Sequence, residues 1–321
     1  MRACAPVGDP VADGRGTLAA GAGILALLGL LAAAAPVLAS GRPWLARVDG
    51  RLAVRPPARV VGRAEVLVPA PVPYDPDRID LARALEPPGP DHPLGTDAQG
   101  RDVASRLLHG GRRSLAAGAV ATALALAIGA ALGTGAGILG PAADTILARA
   151  ADAVHAFPAL VGAIALLGFG GPGGWPAGRV GVVIGLFAWP TLFRYVRAEV
   201  RRWSGSDLAA AARASGAGPW RIGLRHLLPH ALTPALVPAS FLAGGAVLVE
   251  AGLGFLGLGI RPPEPSWGNL LRDGMLDGAR AWWLALFPGL AVFLTVLGFH
   301  LLAEGLRRRL SARDEPSARA R

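Results

Sequence analysis

The stretch DLAAAARASGAGPWRIGLRHLLP, residues 207–229, decides how this chain is read. Its first half is a run of strong helix formers. Alanines 209–212 lose no side-chain entropy in a helix and leave a smooth face that another backbone can approach closely. Ser204 or Ser206 can cap that helix, and Asp207 lies where the positive end of the helix dipole favours an acid. Gly216 supplies a stop, and Pro219 opposes continuation. Beyond it, Trp220, Ile222, Leu224, Leu227 and Leu228 can lie along a membrane boundary while Arg221 and Arg225 face water or lipid phosphate. A short, hard-surfaced helix between apolar segments is a docking knob for another protein; by composition alone, an ordinary interfacial helix is the plainer alternative.

The composition around it is that of a membrane protein: 321 residues, 52% apolar, only 17% charged. All 32 basic residues are Arg, and Lys is absent. The net charge of +10 is not a nucleic-acid footprint, because the arginines flank apolar runs without interleaved aromatics. Without Lys there is no standard P-loop for ATP and no Schiff-base chemistry. Cys4 is the single cysteine, which excludes an intramolecular disulfide and a Cys-based zinc cluster.

Crossing a bilayer takes about 20 mostly apolar residues. Segments 17–40, 114–139, 154–171, 179–196, 235–259 and 283–306 approach or exceed that length, which predicts an all-α integral membrane protein with six transmembrane helices. The third contains Pro158 and is parted from the fourth by Gly170-Gly171-Pro172-Gly173-Gly174, the signal of a tight helical hairpin. Val37-Leu38-Ala39 before Ser40 has the form of a leader-cleavage site. However, the apolar core exceeds the ~7–15 residues of a leader and follows Asp9 and Asp13, which favours a retained anchor. The predicted organisation is a cytoplasmic tail (1–16), the first span, and an extracytoplasmic loop (41–113) with an interfacial helix. A transmembrane domain follows (114–306), containing the loop 197–234, and then a basic cytoplasmic tail (307–321) opened by the stop Arg307-Arg308-Arg309. The Arg-rich 197–234 loop and C-terminal tail obey the positive-inside rule. The 41–113 loop carries twelve arginines, but its length weakens the rule there, so counting alone leaves orientation open. Weak alternation near Arg59–Val68 predicts a few strands in that loop.

Other motifs carry less chemistry. In HPLGTDAQGRD, residues 92–102, Asp97 can cap a surface helix that places Val103, Leu107 and Leu108 on one face. Gly252, Gly254 and Gly257 fit G-x-G-x-x-G but lie inside an apolar span, where helix packing and not a dinucleotide explains them. Gly129, Gly133 and Gly137 invite a close helix contact, or else reflect the abundance of glycine. Glu250 is the one carboxylate well inside a predicted span; it can contact substrate or pair with a neighbouring helix. His226 and His230 are separated by the helix-disrupting Pro229, and they and the His300/Glu304 pair lack a third ligand, so no metal site is expected.

The 92–102 string strongly resembles the segment before the second span in permeases of the dipeptide/oligopeptide/nickel ABC importer family. Three further stretches agree with that family, in the same order, over about residues 70–310. They are Tyr74-Asp75-Pro76 through Ile79-Asp80-Leu81; EAGLGFLGLG (250–259) with Pro262-Pro263 and Ser266-Trp267-Gly268; and Trp282-Trp283 through Phe287-Pro288-Gly289. The spacing of Ala210-Ala211-Ala212, Gly216, His226 and Leu228-Pro229 resembles the EAA loop with which such permeases engage their ATP-hydrolysing subunits.

The resemblance implies a type I ABC importer transmembrane fold in a bacterial plasma membrane, with a small extracytoplasmic insertion and no cofactor. It implies as partners a sister permease, two cytoplasmic ATP-binding subunits and an extracytoplasmic solute-binding protein. It assigns coupling to Asp207, Ala210, Ala211, Ala212, Arg213, Gly216, His226, Leu228 and Pro229, and leaves Glu250 and Gly254 to the translocation path or to helix packing. Ala210 occupies the position of the family's EAA glutamate, so a salt bridge through that position is lost. The implied cargo is peptide, with nickel or another small solute as alternatives. Two rivals are an ion-coupled secondary carrier, which would ordinarily show internal repeats or more intramembrane charge, and an intramembrane enzyme, which would need converging polar groups.

Overall fold

The computed structural model describes residues 10–49, 51–56, 65–168 and 176–318. Helix α1 (Pro10–Leu38) leads into a three-stranded antiparallel sheet of β1 (Leu45–Val48), β2 (Arg51–Val54) and β3 (Glu65–Val68), ordered β2-β1-β3. The bundle follows: α2 (Val103–Ile138), α3 (Pro141–Ala156), α4 (Ala159–Gly168), α5 (Ala177–Ser204) and the short α6 (Asp207–Ala214). A single turn, Pro219–Arg221, and a π-helical turn, Ile222–Leu227, run without a break into α7 (Leu228–Phe255). Helices α8 (Trp267–Asp277) and α9 (Trp282–Ala318) complete the chain. Five helical stretches among the described residues are long and apolar enough to cross a bilayer, and the bent pair α3–α4 makes six. The all-α membrane fold expected from the sequence is therefore the observed one.

Small residues set the packing. A Cβ added to Gly133 would lie 2.9 Å from the backbone nitrogen of Arg197, and one on Gly129 would lie 2.8 Å from that of Phe193. Thus the four-residue glycine repeat of α2 is the surface against which α5 closes, and mere glycine abundance does not account for it. Helix α1 lies on α9 through Gly21, which abuts the backbone of Gly298 and Leu302. Helix α3 is tied to α5 by ion pairs of Asp144 with Arg197 and Arg201, and of Asp152 with Arg194 at 2.9 Å.

Several expectations need correction. The third span is not one helix over 154–171: α3 and α4 meet at 77° across Phe157 and Pro158. Proline drives the residue before it out of the helical region, and Phe157 is extended at φ −81°, ψ 126°. The glycine-rich turn 170–174 lies outside the described residues. No separate interfacial helix precedes the second span, because residues 103–113 are the first turns of a single 36-residue α2. Its cap is Asp102, which accepts from Ser105 N at 2.7 Å, and not Asp97. Pro229 does not break the chain between His226 and His230. It sits in the first turn of α7, directly after the π-helical turn, whose wider winding accommodates a ring that would crowd the carbonyl four residues earlier. The helix of the fifth span, α7, accordingly begins well before residue 235. Arg307–Arg309 do not end α9; Arg is a good helix former, and Glu304 pairs with Arg307 and Arg308 one turn on. At the other end, residues 10–16 of the expected tail already belong to α1. Strand β3 realises part of the alternation near Arg59–Val68, whereas residues 57–64 lie outside the described residues.

Candidate functional site

Helix α6 is closed at both ends by its own sequence. The Ser206 hydroxyl accepts from Ala209 N at 3.5 Å and donates to the Trp203 carbonyl at 2.6 Å. At the far end Gly216 N donates to Arg213 O at 2.9 Å and Ala217 N to Ala212 O at 3.1 Å. This pair of bonds is a Schellman closure, and it demands the left-handed backbone that Gly216 adopts at φ +78°. One alanine seats the helix: Ala209 is fully buried among Val196, Val200, Ile222, Leu227, Ala231 and Ala235. The Trp203 ring stacks on His230 with centroids 4.8 Å apart, so His230 is engaged as a packing surface.

The residues expected to couple divide three ways. Ala211, Ala212 and His226 line one pocket of about 370 Å³ together with Leu208, Ser215, Ala217 and Arg221. Asp207, Ala210, Arg213 and Gly216 stand on the exposed side of the same helix and its cap, where Arg213 folds back to donate to Ser204 O at 3.2 Å. Leu228 packs on the cluster beneath, and Pro229 is exposed in the first turn of α7. Sequence reasoning missed Ala209 as the seat, although 209 and 212 share the i, i+3 face that turns inward. It also missed Gly223, whose added Cβ would lie 2.7 Å from Ile138 Cδ1, tying the π-helical turn to the end of α2.

Glu250 and Gly254 belong to a different place. Glu250 is fully buried where α7, α2 and the start of α8 meet. The hydroxyls of Ser114 and Ser266 face it, although neither carboxylate oxygen has a hydrogen bond of ordinary geometry. Gly254 lies against Gly268, whose Cα would be 2.9 Å from an added Cβ. A cavity of about 560 Å³ beside the α3–α4 break is lined on α7 by Phe241, Gly245, Ala246 and Val249, and Glu250 does not reach it. Its wall is formed by Phe157, Pro158, Phe187, Phe241 and Val249, with His155, Thr191 and Tyr195 as its polar points.

The 92–102 string forms a buried polar knot. His92 Nδ1 lies 2.8 Å from Asp102 Oδ2, and Asp97 accepts from Arg101 N at 3.0 Å and Arg101 Nε at 2.7 Å. Arg106 Nε comes within 3.4 Å of Asp97, Arg101 reaches Asp273 of α8 at 3.8 Å, and Trp283 Nε1 donates to Thr96 O at 3.0 Å. Burial raises the Asp273 pKa above its ordinary value, and the positive charge of Arg106 partly opposes that shift.

Residues 125–313 match the family described as binding-protein-dependent transport system inner membrane component. The chain belongs to that family. It is 40% identical over 240 residues to the glutathione transport system permease protein GsiD of Pectobacterium atrosepticum, covering 74% of this chain and 79% of the relative. It is 38% identical over 234 residues to the probable D,D-dipeptide transport system permease protein DdpC of Escherichia coli, covering 73% and 78%. A third relative, the dipeptide transport system permease protein DppC of Alkalihalophilus pseudofirmus, is 38% identical over 226 residues, covering 70% and 73%. The chain is thus a multi-pass permease subunit of an ABC importer in the bacterial inner membrane.

Proposed function

We propose that this permease carries peptides, pairing with a sister permease to line one path. In this reading the knob α6 and its pocket are the cytoplasmic seat of a separate ATP-binding subunit, with two such subunits per transporter. A solute-binding protein delivers cargo to the opposite face, where the 41–102 segment lies. The observation that carries the reading is α6 itself: eight residues, capped at both ends, standing out between two spans on one buried alanine. Such an element transmits a push as a rigid body. With no lysine anywhere in the chain, ATP hydrolysis falls to the separate subunits. Peptide as cargo follows the printed names of the relatives. The apolar cavity bounded by α5 and α7 is this subunit's share of the path, and Glu250, buried outside its lining, is a packing residue.

The test is Ala211→Trp in the assembled transporter. A bulky ring at the mouth of the α6 pocket abolishes ATPase association and peptide uptake while membrane insertion stays intact. Wild-type uptake by that variant refutes the docking surface; ATPase association on the outer side of sealed vesicles prepared right side out refutes the orientation.

A further inference from the structure

The sheet at residues 45–68 has no part in the reading above, and its position is tightly constrained. The open end of the β1–β2 hairpin is fastened to the final turn of α1: Trp44 Nε1 donates to Val37 O at 2.8 Å, and Arg55 Nη2 donates to Pro36 O at 2.6 Å. Val72 N also donates to Leu38 O at 2.9 Å. The apolar part of α1, Gly14–Leu38, is 25 residues long, about 37 Å at the helical rise, so its last turn reaches the headgroup zone and goes little further. A sheet bonded to that turn is held at the bilayer surface.

Its surface chemistry suits that place. Pairing across the ladder sets Leu45 opposite Val54 and Val68, and Arg47 opposite Leu52, so these side chains share one side. Leu52 is 66% exposed and Val54 77%, uncovered among the described residues, and the exposed Arg47–Glu65 ion pair lies beside them on the same side. Arg42, Arg51 and Arg55 have no carboxylate partner among the described residues, whereas Arg47 pairs with Glu65 at 3.2 Å. Asp49 and Glu65 are the acids among the described residues 41–68, so the lobe keeps an excess of positive charge. Exposed apolar side chains bordered by arginines and a tryptophan at the end of a span are the pattern of an interfacial element.

We infer that this lobe is a lipid-seated paddle: the side carrying Leu52, Val54 and Val68 rests in the interface of the leaflet where α1 ends, and Arg42, with Arg51 reaching round from the other side at the hairpin tip, engages anionic phospholipid headgroups. That leaflet is the outer one, a point that rests on the orientation proposed above. The seating changes how the paddle can act, because a lobe floated on lipid follows tilts of α1 and is not fixed to a protein partner.

The test uses the full permease in the assembled transporter, with Cys4→Ser and a bimane probe at Leu52→Cys or Val54→Cys, in vesicles of phosphatidylethanolamine and phosphatidylglycerol. A probe at Leu27→Cys, on the exposed face of α1 within the span, sets the scale for full lipid contact. Spin label near the headgroup end of the acyl chain quenches the Val54 probe, while iodide hardly reaches it. Replacing both Arg42 and Arg51 by Ser weakens anionic-lipid attraction about fivefold per arginine, read as phosphatidylglycerol retained in native mass spectrometry. Iodide quenching with no spin-label quenching at both positions overturns the inference. Protection that arrives only with added solute-binding protein also overturns it, and assigns the face to that protein. Labelling of the probes by an impermeant maleimide from the cytoplasmic side would instead overturn the orientation and leave the lipid seating intact.

Discussion

The two caps of α6 offer the sharpest test of the lever. Eight residues are too few for a helix to persist in water without help, so α6 depends on its seat at Ala209 and on its closures. Ser206→Ala removes the N-cap acceptor, which typically costs about 1 kcal/mol. At Gly216 nothing lies within 4 Å of an added Cβ, so Gly216→Ala meets only the conformational penalty of φ +78°, roughly 1–2 kcal/mol. The two sites sit at opposite ends of the helix and share no partner, so the costs add to roughly 2–3 kcal/mol. That sum is a factor of about 30 to 150 in the population of frayed helix. Hydrogen exchange across residues 207–217 of the reconstituted transporter should quicken by that factor while the spans stay protected, and ATP hydrolysis driven by loaded binding protein should fall with uptake. Gly218→Ala is the control, since Gly218 has φ −69° and open space around it. If the doubly substituted helix frays as calculated and uptake stays at the wild-type rate, α6 is not a lever.

Gly254→Val forces methyl groups into the backbone of Gly268 and should lower stability by about 1–3 kcal/mol, while Gly252→Val, with nothing within 4 Å, leaves thermal unfolding in place. Glu250→Gln should keep peptide uptake within about twofold of wild type, because the side chain lies in the α2–α7–α8 junction away from the cavity; a large change in cargo preference would return it to the path. Asp273 binds its proton more tightly folded than unfolded, so its contribution to stability falls as pH rises from the ordinary aspartate range through the elevated folded value. Asp273→Asn should remove that slope, and a pH-stability curve unchanged by the substitution would contradict the assigned burial.

Much of this was legible before any coordinates. The apolar runs located most of the crossing helices, and Gly216 marked the stop of α6, while the sequence left its cap between Ser204 and Ser206 and the glycine repeat of α2 between a close contact and mere abundance. What stayed hidden depended on winding and partners. Pro158 and Pro229 are chemically identical, yet the chain bends by 77° at the first, while the second lies in the first turn of α7 directly after a π-helical turn. Asp97 and Asp102 each have the form of a cap, and Asp102 caps because α2 begins at the residue directly after it, while Asp97 holds Arg101. Nor could spacing reveal which side of α7 faces the cavity, since Val249 and Glu250 are neighbours in sequence and part company only once α2 and α8 have packed.

Helix α2 has a mechanical consequence. At 36 residues it is about 54 Å long, nearly twice the thickness of the hydrocarbon it crosses. One end is clamped in the His92–Asp102 knot, and the other touches Gly223 directly behind the lever. A rod of that length pivoting about its middle by ~5° swings each tip by ~2.4 Å, in opposite directions. Under the function proposed above, an event on one side of the membrane would arrive on the other as displacement of the far end of the same helix, with α5 carried along on its glycine face.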